Sequence, residues 1–299
     1  MDYKSLYNKR FAHIDFNKEL KSYTTFGIGG LADVIARPTS IKELEDLLKF
    51  NFGNNIETFV MGKGSNLLVS DKGIRGCVIV LSDNFDQVII EDEYLTALSG
   101  TSLNKASLAA IDEGLAGMEE ISGIPGSVGG AVAMNAGAYG GEIKDIAVEI
   151  KAFDFEGNLH TFKNEDMNFS YRHSRIFDDN LIVVSAKFKL EKGDKDLIRE
   201  RYEDFTNRRQ TKQPLDKKSA GSTFKRPEGS YASKLIDECG LRGFREGDCQ
   251  VSEKHCGFII NRDAATCEEM LKFINHVSSI VKEKTGFVLE REVKLVGDL

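Results

Sequence analysis

Between Glu119 and Ile143 the chain reads EEISGIPGSVGGAVAMNAGAYGGEI, and of these twenty-five residues seven are glycine, four alanine and two serine. A run with so little apolar bulk has no core of its own to build and must be held by the rest of the molecule. Without Cβ atoms, Gly123, Gly126, Gly129, Gly130, Gly137, Gly140 and Gly141 can take positive φ and let other groups lie against the backbone. Successive bare N–H groups of this kind bind anions, of which phosphate is the commonest in biology. Taken alone, the run reads equally well as tight turns and close helix packing. Two further glycine clusters stand in the chain: Gly27-Ile28-Gly29-Gly30 and Gly62-Lys63-Gly64-Ser65-Asn66. The first formally matches GxGxxA through Gly27, Gly29 and Ala32, but it precedes an expected strand where a dinucleotide fold of that type needs one to come before it. No GxxxxGK[ST] sequence occurs, which excludes a P-loop. The second cluster follows an expected strand and places main-chain amides at its C-terminal end, where a diphosphate can be held.

The other residues bound the class of protein. A chain of 299 residues, 41% hydrophobic, is expected to form two or three compact units. Its formal charge of −7 argues against general binding to nucleic acid or anionic membrane. The N-terminal residues alternate charged and aromatic side chains without an apolar core, and no apolar run reaches membrane-span length, so a cytoplasmic location is expected. The five cysteines, Cys77, Cys239, Cys249, Cys256 and Cys267, have no metal or redox spacing, and the five histidines form no ligand motif. Reduced structural thiols and no metal are expected.

Periodicity predicts a helical or irregular lead-in over 1–23, a strand over 33–37 and a helix over 40–52 opened by a Ser40/Glu43 capping box. Strands follow at 58–61 and 77–81, a hairpin at 87–91 and 94–98, and a helix at 103–113. Beyond the glycine-rich run come strands at 147–155, 159–163 and 181–190. Charged helical sequence occupies 194–211, and further helices are expected at 230–239 and 266–284, the latter with Thr266 and Glu269 as a capping box and Gly286 as the stop. A last strand is expected over 287–296. The class is α+β, without strict βαβ alternation.

Three segments, FGIGG-x-AD, MGKGSNLLVSDKGIRG and SGIPGSVGGAVAMNAGAYGGEI, resemble in order and spacing the FAD-binding domain of the p-cresol methylhydroxylase/vanillyl-alcohol oxidase type. More narrowly, and over nearly the whole chain, the sequence is similar to the UDP-N-acetylenolpyruvoylglucosamine reductase family, also called UDP-N-acetylmuramate dehydrogenases. The resemblance implies a lead-in (1–23), a two-lobed FAD-binding domain (24–192, lobes about 24–81 and 82–192) and a C-terminal α+β substrate-binding domain (193–299) ending in a catalytic strand. It places FAD against Gly62, Lys63, Gly64, Ser65 and Asn66, and against Gly123, Ile124, Pro125, Gly126, Ser127, Gly130, Ala131, Asn135 and Gly137. Some flavoproteins of this type attach the cofactor through His or Cys near the phosphate loop; neither residue occurs in 61–76 or 119–146, so non-covalent FAD is expected. NADPH is the implied co-substrate and a monomer the expected state.

The implied reaction reduces the enolpyruvyl ether of UDP-N-acetylglucosamine to UDP-N-acetylmuramate in peptidoglycan precursor synthesis. It needs a hydride at the β-carbon, a proton at the α-carbon, and groups that hold the charge developing on the carboxylate. By resemblance Ser222 in AGSTFKRP donates the proton, Arg172 in SYRHS stabilises the charge and Glu292 in LEREVKLVG completes the set. On residue type alone Ser222 reads as a turn residue after Gly221, Arg172 as a surface cation stacked on Tyr171, and Glu292 as a strand-edge charge. Residues 199–226 carry nine basic side chains (Arg199, Arg201, Arg208, Arg209, Lys212, Lys217, Lys218, Lys225, Arg226) against four acids, locally positive in an acidic chain. Arg199 and Arg201 read as a solvated helix face; Lys212, Lys225, Arg226 and Tyr171 are the expected substrate contacts. Lys225-Arg226-Pro227 departs from the Lys-Asn-Pro of some family members. The short Arg172–Ser222 interval resembles the shorter, type II subclass, which lacks the substrate-covering tyrosine loop. Two other readings are a flavin oxidase of the same fold and a non-redox nucleotide-sugar-binding module.

Overall fold

The structure, a computed structural model, describes residues 2–7 and 10–298. Residues 1, 8 and 9 of the expected lead-in lie outside that range. The chain forms two compact units and passes between them repeatedly: Met1–Phe16, Asp33–Lys63 and Gly76–Arg209 belong to the first, Asn17–Ala32, Gly64–Arg75 and Gln210–Leu299 to the second.

The first unit is built on a five-stranded antiparallel sheet with the order Leu159–Lys163, Ala147–Phe153, Ile182–Lys189, Tyr94–Leu98, Val88–Glu91. Its central strand reads IVVSAKFK, nearly continuous apolar sequence, because both faces are covered. Ile182 and Val184 join one core with Leu44, Leu47, Leu48 and Phe85, while Val183, Ala186 and Phe188 join another with Leu103, Ala106, Val128 and Val132. Successive strand residues point to opposite faces, and an irregularity in the pairing with Ala147–Phe153 between Val183 and Ser185 shifts the alternation, so one strand serves two cores. The helix Ile41–Gly53 buries Leu44, Leu47 and Leu48 and is capped by Ser40, whose Oγ accepts from the Glu43 N–H (3.1 Å). The reciprocal half of the expected capping box goes elsewhere: the Glu43 carboxylate accepts from the Thr39 N–H and hydroxyl, both at 2.8 Å. Thr58–Met61 pairs in parallel with Ile74–Val80, and Gly62 follows directly from its C-terminal end.

The second unit holds an antiparallel sheet with the order Lys218–Ser222, Phe258–Asn261, Cys249–Val251, Arg245–Glu246, packed with the helices Ala232–Glu238 and Cys267–Thr285. The long helix buries Met270, Phe273, Ile274, Val277 and Val281 on one face. Thr266 and Glu269 form the full capping box, and Gly286 stops the helix at φ +79°. Asp71, distant in sequence, caps it as well: its two carboxylate oxygens accept from the Cys267 N–H (2.8 Å) and the Glu268 N–H (3.0 Å). This ties the 64–75 segment to the helix where the dipole favours a negative charge. Asp71→Ala is expected to lower unfolding free energy by about 1–2 kcal/mol, the usual range for a lost cap, measured by chemical denaturation. Asp71→Asn, which keeps one acceptor, should lose less.

Three expectations are corrected. Within the lead-in, Ile14–Glu19 is a strand rather than helix or irregular chain, because it forms the edge of a sheet continued by Leu31–Ala36, Ile74–Val80 and Thr58–Met61. The boundary expected near 192 lies later, since the helix Lys195–Lys212 is anchored on the first unit: Ile198 is buried, Arg199 pairs with Asp112 (2.7 Å), Arg201 pairs with buried Glu119 (2.6 Å), and the Tyr202 hydroxyl donates to Asn104 (3.0 Å). The strand expected over 287–296 is regular only at Lys294–Val296. Residues 290–292 pair with 223–225 around an antiparallel Phe224–Arg291 bridge, whereas Lys294–Val296 pairs in parallel with Leu67–Val69; the chain changes partner between them. Glu290 and Glu292 both lie on the stretch paired with 223–225, before that change.

Candidate active site

In the first unit, Gly62 lies against Ser127 so closely that a Cβ at position 62 would come within 2.2 Å of the Ser127 hydroxyl oxygen. Ser127 caps the helix Val128–Ala133, its Oγ accepting from the Gly130 N–H at 3.4 Å. Val128 and Gly129 donate to the carbonyls of Thr101 and Ser99, both at 2.8 Å. The main-chain N–H groups of Gly62, Lys63, Gly123 and Ser127 have no protein acceptor among the described residues. Unspent amides of this kind suit the diphosphate of a flavin dinucleotide. In the second unit the amides of Gly64 and Ser65 are likewise unspent, while the Asn66 side chain donates to the Glu292 carbonyl (3.3 Å) and the Asn66 carbonyl accepts from the Lys294 N–H (2.9 Å). The unspent amides among the residues expected to hold FAD thus fit the group.

Several expected cofactor residues do other work. The Ile124 and Gly126 amides close turns onto Ile121 and Ile124 (3.1 and 2.7 Å), and Ala131 is buried in the Val128–Ala133 helix. Gly137 pairs with Glu142, where a Cβ would strike the glutamate Cγ at 2.6 Å. Asn135 is wholly buried and spends its side chain on protein: it donates to Glu142 Oε2 (2.9 Å) and the Ser170 carbonyl (3.2 Å), and accepts from the Lys144 N–H (2.9 Å).

Ser222 closes the strand Lys218–Ser222 at an irregularity in its pairing with Phe258–Asn261, just after Gly221 at φ +75°. The left-handed glycine turns the chain so that Ser222 is exposed while Thr223 is fully buried, its hydroxyl accepting from the Ile259 N–H (3.1 Å). The Thr223 carbonyl accepts from the Glu292 N–H at 2.9 Å. Ser222 and half-buried Glu292 are in this way brought onto adjacent segments, from positions seventy residues apart in the chain. Lys225, an expected substrate contact, is paired with the Glu290 carboxylate, and the Arg226 guanidinium lies 4.1 Å from the centroid of the Tyr231 ring. Lys212 is exposed at the end of its helix.

Arg172 belongs to the first unit. It holds φ +58°, a left-handed conformation that costs a side-chain-bearing residue about 1–3 kcal/mol and persists only where its surroundings impose it. The turn is closed by Ser170 and His173, each donating its N–H to the other's carbonyl (3.1 and 3.2 Å). Its guanidinium lies 5.0 Å from the centroid of the half-exposed Tyr171 ring, a cation–π contact.

Sequence reasoning missed Arg209. Only 6% exposed, it is the one arginine among the buried residues; its Nε has no partner, and its one recorded hydrogen bond is a long contact to the Glu120 carbonyl (3.5 Å). The guanidinium packs over the Tyr139 ring (5.3 Å), which also stacks on Phe205 (4.9 Å), and a Cβ at Gly123 would sit 2.6 Å from Arg209 Nε. Burial pulls its pKa below the ordinary arginine value. A signal existed: Ile198, Tyr202, Phe205 and Arg209 recur at helical spacing, so Arg209 continues the buried stripe of an otherwise charged helix.

Comparison with known proteins places the chain among relatives of one family. A family model described as FAD binding domain matches residues 32–163, and one described as UDP-N-acetylenolpyruvoylglucosamine reductase, C-terminal domain, matches residues 213–296. The UDP-N-acetylenolpyruvoylglucosamine reductase of Clostridioides difficile is 46% identical over 285 residues, covering 95% of this chain and 94% of the relative. That of Limosilactobacillus reuteri is 44% identical over 281 residues, with 94% of each covered. The crystal structure of the Thermus caldophilus enzyme is 35% identical and superposes with a TM-score of 0.80 over 95% of this chain and 98% of that one. A berberine bridge enzyme variant, 16% identical with a TM-score of 0.50 over 64% of this chain, shares the fold alone.

Proposed function

The chain belongs to the UDP-N-acetylenolpyruvoylglucosamine reductase family, and from that membership we infer that it is an FAD-dependent reductase converting the enolpyruvyl ether of UDP-N-acetylglucosamine to UDP-N-acetylmuramate with NADPH. Its product feeds peptidoglycan synthesis and, through the wall, cell shape and division. The observation that supports this most directly is the main-chain hydrogen bond from Glu292 to Thr223, which brings the segment of Glu292 against that of exposed Ser222 in the second unit.

The chemistry the flavin supplies when bound is hydride delivery to the β-carbon, using electrons taken from NADPH. Ser222 gives its hydroxyl proton to the α-carbon. A serine hydroxyl is a very weak acid, so it suits an acceptor as basic as a carbanion-like carbon and needs neighbours that restrain the transient alkoxide. Arg172, always protonated, grips the carboxylate with two parallel N–H bonds and holds the charge that spreads onto it. Glu292 orients the proton donor. The unspent amides at 62–65, 123 and 127 would hold the cofactor diphosphate non-covalently, and Arg209, beside Gly123, would offer the cofactor a positive charge. Lys212, Arg226 and Tyr171 receive the nucleotide-sugar, with Lys225 exchanging Glu290 for a substrate oxygen. The protein acts as a monomer in the cytoplasm, a reading supported by five cysteines that are all free and buried. Among the described residues no helix is long and apolar enough to cross a membrane.

The purified protein should be yellow and should oxidise NADPH only when the enolpyruvyl nucleotide-sugar is added. Colourless protein that gains no flavin spectrum with added FAD would overturn this reading, leaving a non-redox nucleotide-sugar module. Oxygen consumption with an alcohol would point to the oxidase.

A further inference from the structure

We infer that Asn135, with Glu142, is the positioning residue for Arg172: it locks the turn that presents the guanidinium and so sets the rate of substrate reduction without touching substrate. The inference rests on the assignment of Arg172 to the reaction made above. Its basis is a chain of contacts confined to the first unit. Asn135 is wholly buried at φ +40° and Arg172 holds φ +58°, two residues with side chains in a region glycine prefers. One hydrogen bond links them: the Ser170 carbonyl that accepts from His173 to close the Arg172 turn (3.2 Å) also accepts from Asn135 Nδ2 (3.2 Å). The second Nδ2 hydrogen goes to Glu142 Oε2 (2.9 Å), and the same carboxylate oxygen takes the Lys144 ammonium (2.7 Å).

The Asn135 amide is therefore fully committed, with two donors and one acceptor spent on two segments, 142–144 and the one at Ser170. A buried amide so used fixes geometry, since breaking any bond leaves a polar group unsatisfied. A second clamp, the buried Ser174 hydroxyl donating to the Ala133 carbonyl (2.9 Å), ties the far side of the same turn to the glycine-rich segment. The neighbouring charge that acts on Arg172 is that of Glu142, itself paired with Lys144. Lys144, as hydrogen-bond donor, is the chief cause holding the Glu142 carboxyl below its usual range; Asn135 and the Arg172 charge add to it. Asn135 thus supplies the turn's shape and Glu142 a fixed counter-charge, so that Arg172 is in place before substrate arrives and no binding energy is spent ordering it.

Asn135→Asp keeps the shape but replaces the two donors with acceptors facing the Ser170 carbonyl and Glu142. Stopped-flow with the FAD-loaded enzyme should show flavin reduction by NADPH within twofold of the parent and reoxidation by the enolpyruvyl substrate slowed about a hundredfold, the scale of an ångström-sized misplacement. Glu142→Gln, which keeps an oxygen for Asn135 but removes the charge, should slow reoxidation about tenfold, a milder version of the same loss. In an Arg172→Ala background, Asn135→Asp should add nothing, because both changes remove one function. Equal slowing of both half-reactions, or independent slowing in the Arg172→Ala background, would show a merely structural asparagine and overturn the inference. If Arg172→Ala alone left reoxidation unchanged, the assignment of Arg172 would fail instead. Should Asn135→Asp not fold, Glu142→Gln and its double variant with Arg172→Ala decide by the same criteria.

Discussion

Ser222→Ala is expected to leave flavin reduction by NADPH intact while reoxidation by the enolpyruvyl substrate falls by about three orders of magnitude, within the range that general acid catalysis contributes. The separation follows from where the hydroxyl acts. Proton delivery to the α-carbon belongs only to the second half-reaction, and Ser222 is exposed at the end of its strand with no side-chain role in the core that alanine would disturb. Cysteine at this position returns a donor more acidic than serine, and it should recover part of the lost rate. Thr223, its buried neighbour, gives the contrast: its hydroxyl and both main-chain groups are bound to Ile259, Gly257 and Glu292. Thr223→Val should cost stability, at about 1–3 kcal/mol for an unsatisfied buried amide, before it affects any one chemical step. Stopped-flow absorbance of the flavin checks the first expectation, and a loss shared equally by both half-reactions would remove Ser222 from the proton-transfer step.

Arg209→Met is expected to change stability and cofactor affinity in opposite directions. A guanidinium that is nearly buried, with an unpartnered Nε, carries a desolvation cost that arginine does not escape by giving up its proton. Methionine, similar in length and apolar, should raise the stability of the cofactor-free protein by about 1–2 kcal/mol, the scale seen when uncompensated buried charge gives way to packed side chains. FAD affinity should fall about tenfold or more, the equivalent of one charge-assisted hydrogen bond. Thermal unfolding of the FAD-free protein and titration of flavin fluorescence measure the two effects. If both quantities fell, Arg209 would be a packing residue and its cation would have no cofactor to meet.

Much of the element order is readable from periodicity and punctuation. Thr266, Glu269 and Gly286 bound the long helix within a residue of its observed ends, and alternating sequence marks the hairpin of Val88–Glu91 and Tyr94–Leu98. Local signals suffice there because capping and turn chemistry act over a few residues. The short strands of the second unit, such as Arg245–Glu246 and Cys249–Val251, leave no comparable trace, since their pairing is decided by partners elsewhere in the chain. The same holds for 287–296, whose apolar alternation suggests one strand and whose backbone divides itself between two partners.

By itself the sequence determined that side chains are absent at 62, 64 and the seven glycines between 123 and 141, and its motifs pointed to a flavin and to a serine, an arginine and a glutamate as the reactive set. Only the tertiary structure decided what those residues lean on: that Ser222 and Glu292 meet through Thr223, that Asn135 serves the Arg172 turn, and that one of nine neighbouring cations is buried while the others are not. The reason is physical. Backbone conformation and chemical type are properties of a residue and its near neighbours, whereas burial and hydrogen-bond partners depend on contacts between segments that sequence order leaves far apart.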